Sequence, residues 1–115
     1  MTLVFVGFGG VLGVLTRYAI ISILPFGSLG SIFFINVLGS ALIGYLYKSH
    51  GVMVWPMLAI GFCGGFTTFS TFALDNIKLV MDAKWVGMVA YIIGTNLCCV
   101  GACWLGIKLR SLLIG

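Results

Sequence analysis

Acidic side chains are almost missing from this sequence: Asp75 and Asp82 are its only carboxylates, and it has no glutamate. Charged residues of both signs make up 7% of the 115 residues, against about 25% in soluble domains. Histidine occurs once, at His50, and proline only at Pro25 and Pro56. With so few titratable groups there is no convincing nucleophile–base pair and no cluster able to hold a catalytic metal, so an enzyme is excluded. The net charge of +4 is too small and too scattered to grip nucleic acid. What the chain does have is apolar residues, 62% of the total, which is a lipid-soluble composition.

The charges stand at Arg17, Lys48, Asp75, Lys78, Asp82, Lys84, Lys108 and Arg110, and they leave long uncharged runs. Crossing about 30 Å of hydrocarbon takes roughly 20 helical residues. The segments 3–24, 31–47, 56–74 and 85–107 reach or approach that length, and the first gap between them carries Pro25, Gly27 and Gly30. None alternates in polarity as the strands of a membrane barrel do. The expected fold is therefore an all-α integral membrane protein, one membrane domain over 1–115 with four transmembrane helices. The first segment lacks the basic flank and small-residue cleavage site of a signal peptide, and is expected to be retained. Connections are short, so function is expected within the bilayer.

Orientation is set mainly by Lys and Arg in short loops. Lys48, Lys108 and Arg110 would face one side and Arg17, Lys78 and Lys84 the other, three against three. Such balance allows insertion both ways and pairing of antiparallel copies; the alternative is one orientation fixed by a partner. Trp55, Trp85, Trp104 and Tyr47 stand near span ends as interfacial anchors. The four cysteines, Cys63, Cys98, Cys99 and Cys103, fit no zinc spacing and read as buried small apolar residues. His50 reads as solvated, in a short loop beside Lys48.

Seventeen glycines suggest close helix contact, with Gly7, Gly9, Gly10 and Gly13 on the first helix and Gly39, Ser40 and Gly44 on the second. Arg17 lies deep enough in the first span to snorkel or to face a watery vestibule. Asn36, near the middle of the second span, either ties helices together or lines a polar path. The stretch Gly61-Phe62-Cys63-Gly64-Gly65-Phe66-Thr67-Thr68-Phe69-Ser70-Thr71-Phe72 is poor material for an unbroken helix. A break is expected there, and the freed carbonyls and amides persist in a membrane only where they face protein, an ion or water. Carbonyls from two antiparallel subunits meeting at such a break could surround one monovalent cation, leaving hydroxyls and amides to donate to an anion. Phe69 and Phe72 would share a helical face, either as core or as positive ring edges along an anion path. On the fourth helix Tyr91, Thr95 and Cys99 follow at four-residue spacing, with Asn96 beside them.

Both carboxylates are read as lying in or beside the third loop, so no span is expected to carry a buried acid. A small dual-topology multidrug-type cation exporter, which trades protons for substrate on such an acid, is disfavoured. Passive conduction by neutral donors and a purely structural membrane subunit remain.

The runs Gly9-Gly10-Val11-Leu12-Gly13-Val14-Leu15-Thr16-Arg17-Tyr18 and Asn36-Val37-Leu38-Gly39-Ser40, the stretch Gly61 to Phe72 and the polar stripe of the fourth helix together resemble the Fluc/CrcB fluoride channels. That resemblance covers essentially the whole chain. It implies a passive fluoride channel of the cell membrane that relieves fluoride toxicity. It further implies an antiparallel dual-topology homodimer, or a heterodimer with a paralogue, carrying two pathways and a structural Na+ at the dimer centre. By motif position the backbone carbonyls of Gly64 and Thr67 would hold the sodium. Asn36 would donate to fluoride, Phe69 and Phe72 would be the ring-edge pair, and Ser70, Thr71, Tyr91 and Thr95 would extend the polar track. Arg17 would electropolarise an aqueous entrance. The chain departs from the family pattern at Ile32, where a Thr is common and the nearest hydroxyl is Ser31, and at Cys99, where a Ser is frequent.

Overall fold

A computed structural model describes residues 1–48, 51 and 53–114, and all of its regular structure is helical. Helix α1 spans Thr2–Ile23, α2 Gly27–Leu46 and α5 Trp85–Leu113. Between α2 and α5, helix α3 runs as a π-helix over Trp55–Cys63 and one α turn over Gly64–Phe66, and α4 covers Phe69–Met81. Taking α3 and α4 as one span, four helices are long and apolar enough to cross a membrane. The longest dimension of the molecule, 48 Å, matches a bilayer with its headgroups.

Local chemistry accounts for the helix ends. Leu24, which precedes Pro25, is extended (φ −68°, ψ 133°), because the proline ring disfavours helical geometry in the residue before it. Gly27 then takes a positive φ of 72°, which turns the chain tightly enough for α2 to begin four residues ahead of Ser31. Pro56 sits in the first turn of α3, where its missing N–H is not needed. The Thr68 side chain caps α4 by accepting from the Thr71 N–H.

Glycines let backbones touch. Gly9 and Gly13 on α1 face Gly61 and Gly65 on α3, each pair four residues apart, and the two helices interlock. A β-carbon at Gly9 would strike the Met57 backbone, and one at Gly13 the backbones of Phe62 and Phe66. In return, Gly61 lies against the Val6 carbonyl and Gly65 against that of Gly10. Helices α2 and α5 are joined in the same manner, with Gly44 on the Cys103 backbone and Gly106 on that of Ala41. The buried apolar core is small, including Ile32, Ile35, Phe66 and Phe72, while large apolar side chains such as Phe8, Leu15, Leu97 and Val100 cover the outside. That inversion of the soluble pattern suits a lipid surround.

Two features differ from expectation. Helix α4 continues past Leu74 to Met81 and takes Asp75 with it, and the acid is only 3% exposed. The view that no span carries a buried acid is thus corrected: Asp75 falls on the inward face of α4 with Phe72 and Asn76. Cys98 is exposed on the outer face of α5, whereas Cys63 is buried and Cys99 and Cys103 are partly so; all four are free thiols. Trp85 and Trp104 stand exposed on α5, with Lys108 over the Trp104 ring at 5.3 Å. His50 lies outside the described residues.

Candidate functional site: a capped helix break with a polar cavity

The interlocked glycines of α1 and α3 set the two backbones side by side, and two residues beyond Gly65 the helix opens. Thr67 (φ −83°, ψ 158°) and Thr68 (φ −146°, ψ 121°) are both extended before α4 starts at Phe69. Opening a helix in lipid exposes peptide groups that cost several kcal/mol each when unsatisfied, on the order of 2–7. Here side chains from two other helices take them up. Asn36 of α2 pairs with both polar groups of Thr68: its Oδ1 accepts the Thr68 N–H at 2.9 Å, and its Nδ2 donates to the Thr68 carbonyl at 3.1 Å. Arg17 of α1 donates from Nη1 to the Thr67 carbonyl at 3.3 Å. It is delivered there because it lies one turn beyond Gly13 on the stripe that packs against α3.

These contacts define what the two polar residues of the first helices do. Asn36 spends its acceptor and one of its two donor hydrogens on the Thr68 backbone, so one N–H is left for the cavity. Arg17 reaches the break through the Thr67 carbonyl. Because the Thr68 N–H is bonded to Asn36, the Gly64 carbonyl four residues earlier is released from its helical partner.

A cavity of about 250 Å³ opens at the break. Asn36, Phe69, Phe72 and Thr95 line it, together with Ser40, Thr67, Thr68, Asn96 and Cys99. Four of the anticipated residues thus meet in one place. The rings of Phe69 and Phe72 are 5.6 Å apart and inclined at 49°, and Phe72 is followed by Tyr91 at 4.9 Å with the same inclination. Phe72 is 6% exposed, whereas Phe69 is 77% exposed at the cavity rim. The Thr95 hydroxyl is buried with no partner among the described residues, so the wall holds a donor with nothing to donate to.

Other anticipated residues lie elsewhere. Ser70 is exposed and within 3.3 Å of the Thr68 hydroxyl. Thr71 lines a second cavity, with Ser28, Ser31 and Ile32. Tyr91 stands behind Phe72, where its hydroxyl donates to Asp75 Oδ2 at 3.4 Å, while Ser28 donates to Asp75 Oδ1 at 2.8 Å. Gly64 and Thr67 line a third cavity of about 180 Å³, beside Gly39 and Ser40. An added β-carbon at Gly64 would meet nothing within 4 Å, so this part of the backbone is open.

Sequence reasoning passed over Thr68, the residue whose peptide Asn36 grips and whose hydroxyl caps α4. The signal was there: a threonine followed three residues later by another polar residue, just before an apolar run, is a helix-start pattern. Asp75 was also readable, since it is three residues beyond Phe72, one turn on along the same helical face.

A broken membrane span, capped by side chains from two neighbouring helices and bordered by neutral hydrogen-bond donors, defines a class: multi-pass membrane proteins built around an intramembrane polar site. Residues 4–107 match the family described as CrcB-like protein, Camphor Resistance (CrcB), and the chain belongs to that family. Its relatives include the Fluoride-specific ion channel FluC of Campylobacter jejuni, 37% identical over 115 residues that cover 91% of this chain and 93% of the relative. Fluoride-specific ion channel FluC 2 of Rhodococcus jostii is 34% identical over 116 residues, covering 96% and 100%. Fluoride-specific ion channel FluC 1 of Listeria innocua is 36% identical over 113 residues, covering 90% and 92%.

Proposed function

We propose that the chain is a passive, fluoride-selective channel that lets fluoride leave the cell across the plasma membrane and so relieves its toxicity. The observation that carries this is the partnerless Thr95 hydroxyl in a cavity walled by neutral donors and phenyl rings at a helix break. Fluoride is small and holds its water tightly, so a pore must replace that water with hydrogen-bond donors without creating a deep well. The Thr95 hydroxyl, the spare N–H of Asn36 and the positive edges of Phe69 and Phe72 supply weak, fixed donors of that kind. A full positive charge in the cavity would hold the ion; Arg17, directed onto the Thr67 carbonyl, supports the break from behind. With a negative cell interior, an open anion path runs outward without an energy source.

Two copies of opposite orientation, paired through the open faces at Gly64 and Thr67, complete the assembly. With Arg17 drawn to the break, Lys48, Lys108 and Arg110 on one side stand against Lys78 and Lys84 on the other, and that near balance supports insertion both ways. A homodimer satisfies this, and so does a heterodimer with a paralogue of opposite orientation. The residues at the break fit a central Na+: the Gly64 carbonyl has lost its helical partner, Gly64 lines the third cavity, and the Thr67 carbonyl has one lone pair beyond that used by Arg17. Sodium bound there by Gly64 and Thr67 would supply the positive charge that draws the carbonyls of two protomers together. The purified protein alone, reconstituted in liposomes loaded with fluoride, is expected to release it to a fluoride electrode when a potassium ionophore removes the opposing voltage. No release above protein-free liposomes would refute the proposal; drug-driven proton flux in its place would favour an exporter built on Asp75.

A further inference from the structure

The four cysteines sit in different surroundings. Cys98 is exposed on the outer face of α5 beside Leu97, against lipid. Cys63 borders the third cavity but is buried, packed with Leu46 and Ala59. Cys103 is partly buried, with its backbone under Gly44. Cys99 alone of the four lines the cavity at the break.

A thiol in a wall can be mere packing, but a second feature of this wall calls for a guest. Thr95 stands one turn before Cys99 on the same face of α5, lines the same cavity and is only 6% exposed. Its hydroxyl has no partner among the described residues, although buried hydroxyls are normally paired. The space beside Cys99 is therefore one that a small molecule enters, and it is polar and roomy enough to hold water. Only the thiolate attacks an electrophile, so a reactive thiol must be reachable and able to hand its proton to water. Cys99 meets both needs. Cys98 faces hydrocarbon, and Cys63 is shut in by apolar side chains.

We propose that Cys99 is a thiol-modification site at which a small sulfenylating electrophile, such as an alkyl thiosulfonate, reversibly closes the channel. The closure rests on the fluoride-channel reading. Cys99 gives its proton to water, and its thiolate attacks the sulfenyl sulfur of the reagent. The S–S bond of the reagent breaks, a sulfinate leaves with the electron pair, and a mixed disulfide remains on Cys99. An added dithiol reverses the modification by thiol–disulfide exchange and is itself oxidised to a disulfide. The adduct replaces the S–H with an apolar group that projects into the cavity one turn from Thr95, removing a weak donor and taking up the room of the ion.

The test treats fluoride-loaded liposomes with methyl methanethiosulfonate and then with dithiothreitol. It reads efflux at each stage and locates the adduct by fragment mass spectrometry. The proteins are wild type, Cys98→Ser, Cys99→Ser and the triple variant Cys63→Ser/Cys98→Ser/Cys103→Ser, each compared with its own untreated rate. Loss of one hydrogen bond to a charged group corresponds to roughly a tenfold or greater effect. Treatment is expected to slow wild type, Cys98→Ser and the triple variant at least about tenfold, with recovery in dithiothreitol, and to leave Cys99→Ser within twofold of its untreated rate. Wild-type protein that carries the adduct on Cys99 yet keeps its rate within twofold overturns the proposal, as does protein that acquires no adduct there or a Cys99→Ser variant that is slowed equally. Should Cys99→Ser fail to fold, the triple variant decides: reversible slowing supports the site, and an unchanged rate overturns it. Wild-type protein that passes no fluoride before treatment overturns the channel reading itself, and the closure with it.

Discussion

Replacing Asn36 with aspartate is the sharpest perturbation of the break, because the two side chains have nearly the same shape and differ in what they donate. The aspartate keeps an acceptor for the Thr68 N–H, now at 2.9 Å, but loses the donor that holds the Thr68 carbonyl at 3.1 Å. An unsatisfied buried acceptor costs about 1–3 kcal/mol. The new carboxylate also borders the cavity, and at about 4 Å with an effective dielectric near 20 it would repel a passing anion by about 4 kcal/mol. The electrostatic part alone corresponds to roughly three orders of magnitude, at about 1.4 kcal/mol per factor of ten. Efflux from Asn36→Asp liposomes should therefore fall below what a fluoride electrode resolves, while the protein still elutes as the wild-type assembly. Asn36→Asp protein of normal size that releases fluoride within threefold of the wild-type rate would refute both the role of the break and the course of the path past it.

Further outcomes follow from the same geometry. Phe72→Ile removes the ring that spans Phe69 and Tyr91 and should abolish efflux without preventing assembly, as read by electrode and size-exclusion chromatography. Gly13→Val places a side chain into the Phe62 and Phe66 backbones and should separate α1 from α3, seen as aggregation or loss of the folded peak in detergent. Asp75→Ala leaves the hydroxyls of Ser28 and Tyr91 without their acceptor and should lower stability by about 1–3 kcal/mol, measured as an earlier thermal unfolding midpoint in detergent. Exchanging sodium for a bulky organic cation throughout should weaken the assembly in wild-type protein, measured as a shift toward single chains.

How legible the protein was in its sequence depended on the range of the physics involved. Lipid solubility, helix number and the region of the break follow from composition and local preference: long uncharged runs, Pro25 at a turn, and glycines and threonines crowded before Phe69. The partners of the break follow from register between helices, which no local pattern contains. Gly9 and Gly13 were visible as small residues, but their match to Gly61 and Gly65 sets the height at which Arg17 arrives. Hence the contact of Arg17 with the Thr67 carbonyl was not legible in the sequence. Asn36 was rightly singled out as a costly amide in lipid, yet its pairing with the Thr68 peptide could be seen only in three dimensions. Asp75 was assigned to a loop because charge normally marks the end of a span. Hydroxyls from α2 and α5 reverse that rule by satisfying the carboxylate inside the bundle.

The central claim is that uncharged donors at a broken helix conduct a dehydrated fluoride ion in preference to other halides. It is tested most directly by the reversal potential of purified protein in a planar bilayer, with fluoride on one side and chloride on the other. The account predicts a current that reverses close to the value set by fluoride alone and that stays unchanged by a pH gradient. A reversal potential near zero, or one that follows the proton gradient, would contradict it.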